Sequence, residues 1–117
     1  MKKIRFFAVG ALLGVMLASC AFRSSGHSFG PYSDAETFYK KGDYPGAIEK
    51  YQEYLAGNPQ GNLAAIARYY IAKSYIASGD TSKACENFKQ VMEQYPQTSW
   101  ADFAKEQLGM LQGAAKI

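Results

Sequence analysis

Histidine is nearly absent from this chain, with His27 the single instance, and cysteine occurs only as Cys20 and Cys85. A metal site needs clustered ligands at defined spacing, and no cluster of histidine, cysteine, aspartate and glutamate provides one. Cys85 has no histidine near it in sequence to form a nucleophilic pair. Asp34 and Glu36 are the nearest thing to paired carboxylates, but such close helix positions do not converge, and a solvated helix start explains them. A glycine-rich phosphate loop is missing too: Gly10 and Gly14 belong to an apolar run, and Gly57 and Gly61 flank a proline turn. The chain is therefore expected to have no catalytic residues, no metal ligands and no enzymatic activity. The rival reading of the N-terminal apolar run, a short membrane-spanning helix, is not favoured. The apolar run from Phe6 to Ala18 would rise only about 20 Å as a helix, against the roughly 30 Å of a bilayer core. No run of β-branched residues alternates with period two, so strands are not expected.

What is present at the N-terminus has a fixed order. Lys2, Lys3 and Arg5 are followed by the apolar run and then by Leu17-Ala18-Ser19-Cys20. Basic, then apolar, then small residues make an export signal. The closing residues resemble the lipobox of bacterial lipoproteins, an apolar residue and two small residues before a cysteine. The resemblance implies that residues 1–19 are removed and that Cys20 carries a diacylglyceryl group and an acylated amine, with no other cofactor. One acyl chain anchors only marginally, whereas two hold stably. In two-membrane bacteria of this type an aspartate after the cysteine retains the protein at the inner membrane. Ala21 stands there instead, which implies the periplasmic face of the outer membrane.

Removing the signal also removes the charge excess. The chain has 13 basic and 10 acidic residues, and the surplus is Lys2, Lys3 and Arg5. No basic face is left for nucleic acid. Cys85 then has no partner for an intramolecular disulfide. Beside Ala84 on an apolar stripe it reads as a small core residue, with an intermolecular bridge or reactive thiol as the alternative.

Residues 20–31, with Gly26, Gly30 and Pro31, read as a flexible tether, and residues 32–117 as one helical domain. Ala47, Ile48, Tyr51, Tyr54 and Leu55 share a helix face. So do Ala67, Ile71, Ala72 and Tyr75, and again Ala84, Cys85, Phe88, Val91, Met92 and Tyr95. Gly42-Asp43 and Gly79-Asp80 mark helix ends, glycine tolerating the left-handed conformation and aspartate capping the next helix. Pro45 suits a first turn, and Ser99 to Asp102 forms a candidate capping box. The two Gly-Asp breaks lie 37 residues apart, and the same shift maps Ala47 onto Ala84, Tyr51 onto Phe88 and Pro59 onto Pro96. It also maps Leu63, Ala64, Ala67 and Ile71 onto Trp100, Ala101, Ala104 and Leu108. A period in this range marks a helical solenoid.

With Ala35, Phe38, Ala47, Tyr51 and Pro59 in one unit and Ala72, Tyr75, Ala84, Phe88 and Pro96 in the next, the chain resembles the tetratricopeptide repeat family. Leu108-Gly109 matches the start of a third unit. The extra residues relative to the family's usual unit fall between Pro59 and Ala67 and are expected to lengthen the following helix. The longer unit is similar to those of periplasmic lipoproteins, such as the repeat lipoprotein of outer-membrane β-barrel assembly and the repeat domain of a cell-division coordinator. The resemblance implies an all-α, short right-handed solenoid of antiparallel helix pairs, about two and a half repeats long. It implies a groove lined by the first helix of each pair. Carried over position by position, that groove comprises Tyr32, Glu36, Tyr39 and Lys40, then Ile66, Tyr69, Lys73 and Ile76, then Phe103 and Glu106, with Phe29, Ala77 and Met110 beside them. Tyrosines with scattered charges suit a protein or peptide partner.

Two and a half repeats are few. Either the last helix, Ser99 to Gln112 with Ala101, Ala104, Leu108 and Leu111 inward, caps a monomer, or its exposed end self-associates. The functional expectation is a membrane-anchored interaction adaptor of the envelope supporting outer-membrane protein assembly. The alternatives are a cell-wall or division scaffold, or a structural subunit of a larger envelope complex.

Overall fold

The computed structural model describes residues 30–115, which form five helices: α1 (Gly30–Lys40), α2 (Tyr44–Gly57), α3 (Asn62–Ala77), α4 (Thr81–Gln94) and α5 (Ser99–Ala115). The signal, Cys20, His27 and Phe29 lie outside the described residues. No strand occurs among those described. Each helix packs on the next, and α3 also touches α5. Short turns make consecutive helices antiparallel, so the architecture is an all-α solenoid of two helix pairs and a final helix. The helix that follows Pro59, α3, has 16 residues. None of these helices is long and apolar enough to cross a membrane.

The Gly-Asp turns explain the repeat's local geometry. At the first, Gly42 has φ +80°, a left-handed value that a Cβ would strain. This lets the Gly42 N–H reach the Tyr39 carbonyl at 3.0 Å and the Asp43 N–H reach the Phe38 carbonyl at 2.9 Å. Those two bonds make a Schellman motif and satisfy carbonyls that the helix end leaves open. Asp43 then starts α2, its carboxylate accepting from the Gly46 N–H at 3.1 Å. Gly79 and Asp80 repeat every part of this. Gly79 has φ +85°, its N–H meets the Ile76 carbonyl at 3.0 Å, the Asp80 N–H meets that of Tyr75 at 2.9 Å, and the Asp80 carboxylate accepts from the Lys83 N–H at 3.1 Å. Pro45 stands in the first turn of α2 as expected.

Three boundaries differ from the sequence expectation. Gly30 and Pro31, assigned to the tether, instead open α1, because a proline at a helix start forfeits only an N–H that has no intrahelical partner. Ser99 lies inside α5 rather than before it, which displaces the candidate capping box. The Thr98 hydroxyl bonds the Tyr95 carbonyl at 2.8 Å instead. The third difference is length, since α5 continues past Gln112 to Ala115.

The core follows the 37-residue register. Ala47 and Ala84, Tyr51 and Phe88, Ala64 and Ala101, Ala67 and Ala104, and Ile71 and Leu108 are all buried. Alanines at the crossings let helix axes approach to about 8–10 Å. One cluster gathers Ala35, Ala47, Tyr51, Leu55, Ala64, Ala67 and Ile71, and a second gathers Ala72, Ala84, Phe88, Val91, Ala104 and Leu108. Among the pairs that the sequence register mapped, Leu63 and Trp100 differ: Leu63 is 48 % exposed, whereas Trp100 packs against both clusters. Cys85 is half-buried against the second cluster rather than fully enclosed, and is a free thiol. Tyr95 closes the second pair onto the first, its hydroxyl donating to the Pro59 carbonyl at 2.8 Å.

The same register shows how the solenoid ends. On α3, Ala72 is buried in the second cluster, and Tyr69, Tyr75 and Ile76 pack against it beside α4 residues. The equivalents on α5 are Glu106, Gly109, Gln112 and Gly113, all exposed. Ala101, Ala104 and Leu108 are buried on the inner side, as expected of a cap.

Candidate functional site

Helices α1, α3 and α5 share one side of the solenoid, and aromatic rings connect them. The Tyr39 ring on α1 meets Tyr70 on α3 edge to face, with centroids 5.0 Å apart. Tyr70 lies beside Tyr69 at 5.7 Å. Tyr69 reaches α5 through Trp100 at 5.2 Å and Phe103 at 6.5 Å. Tyr51, rising from α2, stacks near-parallel on Tyr70 at 6.2 Å. Offset and edge-to-face pairs of this kind add about 0.5–1.5 kcal/mol each beyond their burial.

Not every expected groove residue faces one space. Glu36, Tyr39 and Lys40 line a single cavity of about 190 Å³ together with Tyr51 and Tyr70. Tyr32 turns toward α2, its ring 5.7 Å from Tyr51 and 5.2 Å from Tyr54. Tyr69 is also partly structural, its ring 5.5 Å from buried Phe88, and Ile76 packs on the second cluster. Ile66 and Lys73 are half-buried on α3, and Phe103 and Met110 occupy the equivalent places on α5. Phe103 is 45 % and Met110 54 % exposed, which makes them two of the large apolar side chains most open to solvent. Glu106 is exposed, and its charge contributes to raising the Tyr69 pKa. The cavity of about 390 Å³ lined by Pro45, Ile48, Tyr75, Ser78 and Asp80 shares none of these residues.

Burial disfavours the phenolate form of the tyrosines on this side. It is the leading cause of the raised pKa of Tyr32, Tyr39, Tyr51 and Tyr69. Tyr51 is shifted furthest, with Tyr32 and the Glu36 carboxylate adding to the effect of burial. The side therefore presents phenols that both donate and accept hydrogen bonds. Among the described residues no group of three or more histidine, cysteine, aspartate or glutamate side chains could hold a metal ion.

Tyr70 is the residue that sequence reasoning passed over. It touches Tyr39, Tyr51, Tyr69 and Trp100. Its equivalents at the 37-residue shift are Ser33 and Gln107, so the repeat register does not single it out. Its place beside Tyr69 is the one trace in the sequence, and that adjacency does not reveal its partners on the other helices.

This arrangement offers contact area and hydrogen bonds along a row of first-in-pair helices, not a reactive centre. Residues 66–98 match the tetratricopeptide repeat. The matched repeat runs from within α3 through α4 to the residue before α5, so it is the second helix pair. One register earlier, the first pair buries Ala35, Ala47 and Tyr51 at the places of Ala72, Ala84 and Phe88. No curated protein matches the chain significantly. A tetratricopeptide repeat is a protein-interaction scaffold, which agrees with a surface built from tyrosines and scattered charges.

Proposed function

We propose that this protein is a lipid-anchored adaptor of the bacterial envelope, supporting outer-membrane protein assembly, whose α1–α3–α5 side grips a segment of a partner protein. One observation carries the binding reading: the ring-to-ring path from Tyr39 through Tyr70 and Tyr69 to the exposed Phe103. Stacked helix pairs commonly bind on the face that their first helices share, and tyrosine and exposed apolar anchors are enriched at contact hot spots. The anchor reading rests on the lipobox-like Leu17-Ala18-Ser19-Cys20, and the outer-membrane reading on Ala21 after it.

Affinity capture from native membranes tests the binding reading, comparing the parent with a Lys40→Ala, Lys73→Ala, Phe103→Ala variant. These side chains are exposed or half-buried. Tyr69→Ala is unsuitable, because removing a ring packed on Phe88 perturbs the core. Partners held by the parent and lost by the variant, with helical content unchanged, support the groove. Identical partners with both place the contact elsewhere. In parallel, Cys20→Ser is expected to move the protein from the membrane to the soluble fraction, and persistence in the membrane would count against lipid anchoring.

A further inference from the structure

We infer that the cavity between α1 and α3 is an anchor pocket for a single tyrosine side chain on an extended segment of the partner, a specificity that rests on the groove reading above. Its volume of about 190 Å³ is below the roughly 300–1,000 Å³ of sites that enclose a whole small molecule, and leaves room for one large side chain. Phenol rings of Tyr39, Tyr51 and Tyr70 form much of the lining. Ring edges carry positive and ring faces negative partial charge, so an aromatic guest continues the edge-to-face packing already made by Tyr39 and Tyr70.

The polar end of the guest is set by Tyr51. This residue is 1 % exposed, and its hydroxyl, the only polar atom of its side chain, is not among the buried polar atoms left unpaired but opens on the cavity that the residue lines. A guest that displaces water from this hydroxyl must offer it a hydrogen bond in return. A guest phenol both donates and accepts, and pairs with Tyr51 whichever way its proton points. Phenylalanine or leucine would leave that group unmet.

Charge argues against arginine. Glu36 and Lys40 line the same cavity, and neither appears in an ion pair among the described residues. A guanidinium drawn by one is opposed by the other, whereas a neutral guest matches a lining whose charges cancel. The same two side chains suit the guest's main chain, Glu36 accepting from an N–H and Lys40 donating to a carbonyl. Four residues of helix rise about 6 Å, close to the roughly 6.6 Å spanned by two residues of extended chain.

The test uses the full chain in detergent micelles with isotopically labelled tyrosine rings. It is titrated by NMR with capped Gly-Gly-Xaa-Gly-Gly peptides, where Xaa is tyrosine, phenylalanine, leucine or arginine. The tyrosine peptide is expected to bind about two- to tenfold tighter than the phenylalanine one, with the other two weaker, and to shift the Tyr51 and Tyr70 ring signals. Tyr51→Phe keeps the ring and removes the hydroxyl. It is expected to erase the preference for tyrosine over phenylalanine while leaving phenylalanine affinity unchanged. A preference for arginine, a tyrosine preference that survives Tyr51→Phe, or ring signals that no peptide moves would each overturn the anchor. The peptide series on the parent decides the matter even if the variant folds poorly. Partner loss in the Lys40, Lys73 and Phe103 variant without any tyrosine preference here removes the anchor and leaves the groove. Tyrosine binding here without groove-dependent partners removes the groove reading and leaves the pocket.

Discussion

Tyrosine does two kinds of work in this chain, and the protonation equilibrium of the phenol separates them. Tyr51 and Tyr95 are buried, while Tyr32, Tyr39 and Tyr69 are half-buried. All five have a pKa raised from 10.0, with burial the leading cause in each. For Tyr95 the Arg68 charge opposes the shift in part. The sign of the linkage follows. Below pH 10 both folded and unfolded chains hold these protons, and stability does not depend on them. Above it the unfolded chain loses protons that the folded chain keeps, so the unfolded state gains, by at most about 1.4 kcal/mol per pH unit for each fully shifted tyrosine. The urea midpoint is therefore expected to stay level between about pH 8 and 9.5 and to fall by pH 11. The fall should be shallower in Tyr51→Phe, which lacks the most shifted group. A midpoint that drops equally in both proteins would show that Tyr51 does not carry the alkaline loss.

At the scale of the element, each Gly-Asp turn serves two helices at once. Asp80 donates its N–H into the Schellman motif that ends α3 and accepts with its carboxylate at the start of α4. Asp80→Ala keeps the first role and removes the second. It should destabilise the fold by about 1 kcal/mol, read as a lower denaturation midpoint. The Lys83 ammonium, 3.8 Å away and exposed, adds little to that figure. Asp80→Asn retains a capping oxygen and should recover most of the loss. Recovery by asparagine distinguishes a cap from a charge effect, because asparagine cannot pair with Lys83. These turns could be read from the sequence because their chemistry is local: glycine and aspartate meet the requirement within a few residues of themselves. The alanine crossings could be read for a different reason, since the 37-residue register repeats the same packing problem. Tyr70 escaped both signals. Its neighbours Tyr39, Tyr51 and Trp100 come from three other helices, and neither its local sequence nor its register position encodes that meeting. Gly30 and Pro31 show the converse. Their composition suits a tether, but it suits a helix start equally well, and the choice is made by what α1 packs against.

For the molecule as a whole, the question is where the stacking stops. A solenoid of identical repeats would leave an apolar face at each end and continue onto another copy, and a head-to-tail contact of that kind forms open filaments. Here the α3 residues that receive α4 are Tyr69, Ala72, Tyr75 and Ile76, while α5 offers Glu106, Gly109, Gln112 and Gly113, all exposed, at the same places. Two side chains and two glycines thus replace a packing surface with a solvated one. The exposed apolar residues of α5, Phe103 and Met110, fall at the register positions of Ile66 and Lys73, on the α1–α3–α5 side rather than at the end. The full chain in detergent is therefore expected to sediment as a monomer whose protein mass does not rise with concentration. Giving α5 the residues of α3, by Glu106→Tyr, Gly109→Ala, Gln112→Tyr and Gly113→Ile, should convert the end into a surface that accepts a second copy and make the mass concentration-dependent. The helix itself should not suffer, since glycine is replaced by better helix formers. A parent protein that already associates through α5 would mean that the two glycines admit a close helix contact, and that the repeat is completed between molecules instead of being closed within one.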